Sequence, residues 1–218
     1  MDTVIQATDN YGQCLKDSAF GIKSEQSDMR PKGFVEVFDV TEDGNKTLVS
    51  KSNLVLYQGR EFIGERIFNI DGGGSVDSYK DMFISWLGVG SGGAPEGNPL
   101  VPTAPVSTDT GLSQEVPFNA VTVSYGDFRG GNFYKHPFDL VNIEPDPANS
   151  DKYLICKVTV SIGVDDCNGS NLNEACLFIS STTDDSHPGP FYSFAKITFP
   201  TIVKDSSRSL MFIWYIYV

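Results

Sequence analysis

The chain has 218 residues, 40% hydrophobic and 12% aromatic, enough for one domain with a proper core and too apolar for a disordered chain. Lys and Arg number 16 against 28 Asp and Glu, a formal net charge of −12. That balance excludes nucleic acid as the main partner, because phosphate binding needs an excess of basic residues on some face and no basic cluster supplies one.

The first residues, MDTVIQATDNYGQCLKD, have neither the basic stretch nor the apolar run of a secretory signal. The longest apolar run, Leu210 to Val218, is far short of the about 20 residues a membrane helix needs. A soluble chain with no membrane contact is therefore expected, and the sequons at Asn45 and Asn168 read as turns. The four cysteines, Cys14, Cys156, Cys167 and Cys176, are too few and too unevenly spaced for a disulfide scaffold and read as free thiols. Only Cys167 and Cys176 lie close enough in sequence to tempt a bridge.

Residues 1–31 are polar, mixed in charge and without sustained periodicity, ending at Arg30-Pro31. They read as an extended arm outside the core, ordered on a neighbour. The domain is expected over 32–218. GFVEVFDV (33–40) alternates, TEDGNKT supplies a turn whose Asp43-Gly44 suits a hairpin, and TLVSKSNLVLY resumes the strand pattern. QGREFIGERIFNI (58–70) is the one clear helix: Phe62, Ile63, Ile67 and Ile70 fall on one face, with Arg60, Glu61 and Glu65 on the other.

Met82–Val89 reads as a buried strand, and 90–111 as a long Gly/Pro-rich surface segment. Val121–Tyr125 reads as a short strand, and 126–151 as a second irregular excursion. Tyr153–Val164 alternates cleanly; Ala175–Ser180, Phe191–Phe199 and Leu210–Val218 complete the strands. Short strands, turn clusters and one short helix imply an all-β protein, a β-sandwich or jelly roll with long Gly/Pro-rich loops.

The last strand is apolar on both faces, which a half-wetted strand is not. Either a loop or the helix covers its outer side, or another subunit does. The interface candidates are accordingly Phe212, Trp214, Tyr215 and Tyr217, the tyrosines being able to bury a ring while wetting a hydroxyl, with Arg30 and Pro31 at the arm.

Chemistry-bearing patterns are thin. His136 and His187 each precede a proline in a loop segment, which suits a turn better than a catalytic base. Gly88-Val89-Gly90-Ser91-Gly92-Gly93 has dinucleotide-loop spacing, but Ala94-Pro95-Glu96-Gly97 cannot open the helix that pyrophosphate binding requires. Asp165-Asp166-Cys167-Asn168-Gly169-Ser170 resembles a calcium loop superficially and reads as a turn. Glu115, Asp127 and Glu174 are not evidently gathered as a carboxylate pair. No catalytic residue, cofactor or metal is expected. Phe133, Tyr134, Phe138, Phe191 and Tyr192 read as loop anchors, or as aromatics that stack on sugar rings.

The order of segments is informative. Asn53-Leu54-Val55 and Gly59-Arg60 precede Trp86-Leu87-Gly88-Val89-Gly90; then come Thr108-Asp109-Thr110-Gly111-Leu112 and Glu174-Ala175-Cys176-Leu177-Phe178; Phe199-Pro200-Thr201-Ile202-Val203-Lys204 and Trp214-Tyr215-Ile216 follow. Over roughly residues 33–218 this succession resembles small structural virion proteins of tailed bacteriophages. It departs from their pattern in the arm, in the long 126–151 segment, and in Cys176 where glycine is more usual. The resemblance implies a non-enzymatic β-sandwich subunit in the neck or collar, the tail or baseplate, or the head surface. Its partners would be further copies of itself (a ring or trimer) and other virion proteins, with assembly in the host cytoplasm. The alternative expectation is a carbohydrate-binding adsorption module that contacts a host glycan.

Overall fold

The computed structural model describes residues 33–52, 54–68, 79, 81–147, 154–181 and 190–217. Strand β1 (Gly33–Thr41) turns back into β2 (Lys46–Ser52) at the expected place. Gly44 takes a φ of +80°, which an L side chain resists, and its amide donates to Thr41 O at 2.9 Å. β3 (Leu54–Val55) leads into helix α1 (Tyr57–Phe68), and β4 (Phe83–Gly90) follows. The short strands β5 (Glu115–Val116), β6 (Phe128–Arg129), β7 (Asn132–Phe133) and β8 (His136–Pro137) precede β9 (Leu140–Pro145). Four long strands end the chain: β10 (Leu154–Ile162), β11 (Asn171–Ser180), β12 (Tyr192–Val203) and β13 (Arg208–Tyr217).

The fold is all-β with one short helix, and every ladder among the described residues is antiparallel. The first sheet runs β2-β1-β13-β10-β9 and the second β3-β12-β11-β4-β5, with β8 also paired to β4. Alternation explains how they share a core. Val35 and Val37 of β1, Val158 and Val160 of β10, and Phe212 and Trp214 of β13 point one way from the first sheet. Ala175, Leu177 and Ile179 of β11 and Ile197 and Phe199 of β12 join them in one apolar cluster. The Phe199 and Phe212 rings meet at 6.0 Å. The opposite face of β11 carries Cys176 and Phe178, which bury a second, smaller cluster with Trp86 and Leu56.

A bulge places the helix. The register jumps from Leu177↔Ala195 to Phe178↔Ser193, so Phe194 is the extra residue and turns the same way as Ala195. Phe62 of α1 then packs edge-on to Phe194 at 6.5 Å and to Tyr79 at 5.7 Å. The approach is close enough that a Cβ on Gly59 would lie 2.3 Å from Phe194 O, so only glycine fits there. Glu65, expected on the polar face of the helix, is instead buried and accepts the Tyr79 amide at 3.1 Å. Ile70 lies outside the described residues.

Three other expectations are corrected. Residues 121–125 are a turn, not a strand: Val121 is 90% exposed and only Val123 reaches the core. The segment 126–151, expected to be irregular, contains β6 to β9. His136 belongs to β8 and pairs with Leu87 of β4, its ring 5.3 Å from Phe118, so it is not an exposed loop side chain; His187 lies outside the described residues.

Trp214 is fully buried beside Phe212. Trp214→Ala is expected to cost about 3–5 kcal/mol in denaturant unfolding. A variant as stable as the parent would place this indole outside the core.

Candidate interaction surfaces

Phe212 and Trp214, proposed from sequence as interface residues, are 0% exposed within the chain's own core and have no surface to offer a partner. Tyr215 and Tyr217 lie on the outer face of β13, which is half-buried. Its neighbours in the sheet supply the cover. Phe34 stacks on Tyr215 at 4.3 Å, and Lys51 sits over the Phe34 ring at 4.4 Å. Lys157 approaches Tyr215 at 5.6 Å, and the Tyr215 hydroxyl donates to Glu36 Oε2 at 3.2 Å. Arg30 and Pro31, with the whole of 1–31, lie outside the described residues.

The most heavily bonded polar group is Glu174. From β11 its fully buried carboxylate accepts the amides of Gly92 at 3.1 Å, Ser113 at 2.9 Å and Gln114 at 2.9 Å, and it pairs with buried Lys196 at 3.0 Å. Lys196 also reaches Asp109 at 3.4 Å and Gly111 O at 3.1 Å. The glycine run with dinucleotide spacing serves this contact. A Cβ on Gly90 would fall 2.4 Å from Gln114 O, and one on Gly93 would fall 2.3 Å from Asn173 O. These glycines let two backbones meet, and no helix follows them.

A second polar cluster holds the 115–135 region. The buried Lys135 ammonium pairs with Glu115 and lies 4.3 Å from the centre of the Phe178 ring. Arg129 pairs with Glu115 and with Asp127 at 3.1 Å, and covers the Tyr134 ring at 3.8 Å. Glu115 and Asp127 are thus brought together, but each is committed to a cation, and Glu174 serves the other cluster. Burial works against ionisation of Glu115, yet Lys135 and Arg129 hold its carboxyl below the ordinary 4.5. The aromatics considered for sugar stacking do not form an open platform. Phe133 is buried against Phe128, Tyr134 lies under Arg129, and Tyr192 packs on Tyr79.

The Asp/Asn-rich turn is organised by a lysine. The Lys204 ammonium, its side chain fully buried, donates to Val164 O at 3.2 Å, Asn168 Oδ1 at 3.1 Å and Asp205 O at 3.0 Å. Asp166 accepts the Asn119 amide at 3.1 Å and the Gly163 amide at 3.3 Å. Positive charge among those oxygens therefore comes from the chain itself. Cys156, Cys167 and Cys176 are free thiols; burial pushes Cys167 up to about 12 and Cys176 higher still. Cys14 lies outside the described residues.

The surface that sequence reasoning missed is at β9, an edge strand. Leu140, Val141 and Ile143 are 52%, 49% and 70% exposed. Val141 also lines a groove of about 350 Å³ with Phe83, Trp86, Tyr125 and Phe138. The signal was present as three apolar residues in DLVNIEPD, but Pro145 and the acidic neighbours made the segment read as loop.

Glu174→Ala is expected to cost about 3–5 kcal/mol, because it strands the buried Lys196 charge and three amides. Unchanged stability in urea unfolding would refute that assignment. For Glu115, the depressed folded value means the stabilisation is complete above pH 4.5 and is lost as pH falls through the lower folded value. The stability difference between the parent and Glu115→Gln should therefore be level above that pH and shrink below it; a difference independent of pH would exclude the ion pair as its source.

Compared with known proteins, the chain matches no protein-family model, no curated protein and no solved structure.

Proposed function

We propose that the chain is a non-enzymatic structural subunit on the exterior of a tailed-bacteriophage particle, in the neck or collar, the tail or baseplate, or on the head surface. It assembles in the host cytoplasm, associates with copies of itself as a ring or trimer, and docks to other virion proteins through residues 1–31.

The observation that carries this reading is where the resembling segments meet. Leu54-Val55, Trp86–Gly90, Glu174–Phe178 and Phe199–Val203 are β3, β4, β11 and β12, which together make most of one sheet. Gly59 abuts β12, and Asp109 and Gly111 bind Lys196 on that sheet. Segments scattered over the sequence thus form one structural unit, and their polar members hold backbone in place. The net charge of −12 suits a component kept away from packaged DNA. Long loops pinned by buried ion pairs suit a part that must present fixed surfaces.

Locating the polypeptide in a reconstruction of whole particles, with its copy number, tests the reading. Symmetric copies on the exterior are expected, and absence from purified particles would sink it. Deleting residues 1–31 should leave a folded chain that no longer enters particles; undiminished entry would remove the arm from the proposal.

A further inference from the structure

We propose that copies of this chain join head to tail through the two edges of the first sheet, β2 of one copy pairing with β9 of the next. The proposal rests on the self-association proposed above and names the surface that performs it.

Among the described residues β2 pairs only with β1, and β9 only with β10, so each presents a row of unpaired backbone amides and carbonyls to an incoming strand. They are matched in length, with seven residues in β2 and six in β9. Both carry apolar side chains in water: Leu48 is 49% exposed on β2, and Ile143 is 70% exposed on β9.

Charge selects the pairing. Residues 46–52 of β2, KTLVSKS, contain Lys46 and Lys51 and no acid; Lys51 is already paired with Glu36 of β1 at 3.1 Å, which leaves Lys46 as the free cation of this edge among the described residues. Residues 139–146 around β9, DLVNIEPD, contain no base; Asp139 and Glu144 lie at the surface, while Asp146 is buried. Joining β9 to β9 would set acids on acids, and joining β2 to β2 would set lysines on lysines. Only the unlike edges are complementary, and like-charge juxtaposition opposes the other two pairings. The occupant of the acidic, apolar β9 edge is therefore the basic edge of a second copy. Such a contact uses different surfaces on its two sides, so it closes into a ring when the rotation between copies permits.

The test uses the full chain with the photo-crosslinker p-benzoylphenylalanine at position 143, mixed with isotope-labelled copies and mapped by mass spectrometry. Cross-links should join position 143 to residues 46–52 of a differently labelled copy. Reversing Lys46 to Glu, or Glu144 to Lys, should lower the yield at least about tenfold and shift the chain to smaller species by light scattering, with the thermal midpoint kept. Mixing K46E chains with E144K chains should restore cross-links between the two. Cross-links to residues 1–31, to β9 of another copy or within one chain would each overturn the proposal, as would none at all. A chain located in particles but not cross-linked in this way loses only the edge pairing; a cross-linked ring absent from particles loses only the particle assignment.

Discussion

The structure depends on one buried carboxylate. The chain between β4 and β5 is more than 20 residues of Gly- and Pro-rich backbone with no regular element among them, and such a segment cannot satisfy its own amides. Glu174 reaches it from the middle of a sheet and accepts amides from both ends, at Gly92 and at Ser113 and Gln114. A buried anion is tolerable only when it is paired and fully hydrogen-bonded, and Lys196 completes that condition. The middle of the loop is stitched to the following strand, where Thr198 Oγ1 donates to Thr103 O and the Thr201 amide donates to Pro99 O, both at 2.8 Å. One ion pair therefore converts an irregular segment into a fixed surface.

The same device recurs with lysine as the central ion. Lys135, Lys196 and Lys204 are among the most deeply buried side chains, although lysine is almost never buried without a partner. Each ammonium organises a different irregular region: 115–135, 109–113 and 163–170. An acidic chain that spends these lysines inside makes its exterior more acidic still. Among the described residues the exposed lysines are Lys46 and Lys51, and they share a single edge strand.

How far the sequence could be read follows from where burial is one-sided. β1 and β10 alternate because one face of each meets the core, β13 stands out as a long apolar run, and the hairpin at Asp43-Gly44 is local chemistry, so all four features were legible. β11 was expected from Ala175 but begins at Asn171, because Asn173 and Glu174 are buried polar residues whose partners lie in β12 and in the loop after β4, the loop amides 60 to 82 positions away. No window of sequence contains those partners. β12 was expected to stop at Phe199, before Pro200, yet it continues to Val203 with an irregular register around that position. The candidate interface residues divide between the two faces of β13, with Phe212 and Trp214 in the core and Tyr215 and Tyr217 half-buried. Two apolar faces on β13 suggested a partner, whereas a central strand can line its outer face with stacked rings and lysine stems from its own sheet.

That outcome moves the question of association from the middle of the sheet to its rims. A half-buried face offers a second subunit only side chains, whereas an edge keeps its unpaired backbone groups whatever lies on its faces. Natural edges are commonly blunted by lysine or by proline and inward charge, and this sheet shows the two devices separately, lysines on β2 and Pro145 with acids around β9. Blunting by opposite charges prevents each edge from pairing with its own kind while leaving the unlike edges attractive. An isologous dimer through either rim is thereby disfavoured, and the sheet is left with a direction. Directional contacts propagate, and a particle component that must repeat around an axis needs an interface of that kind.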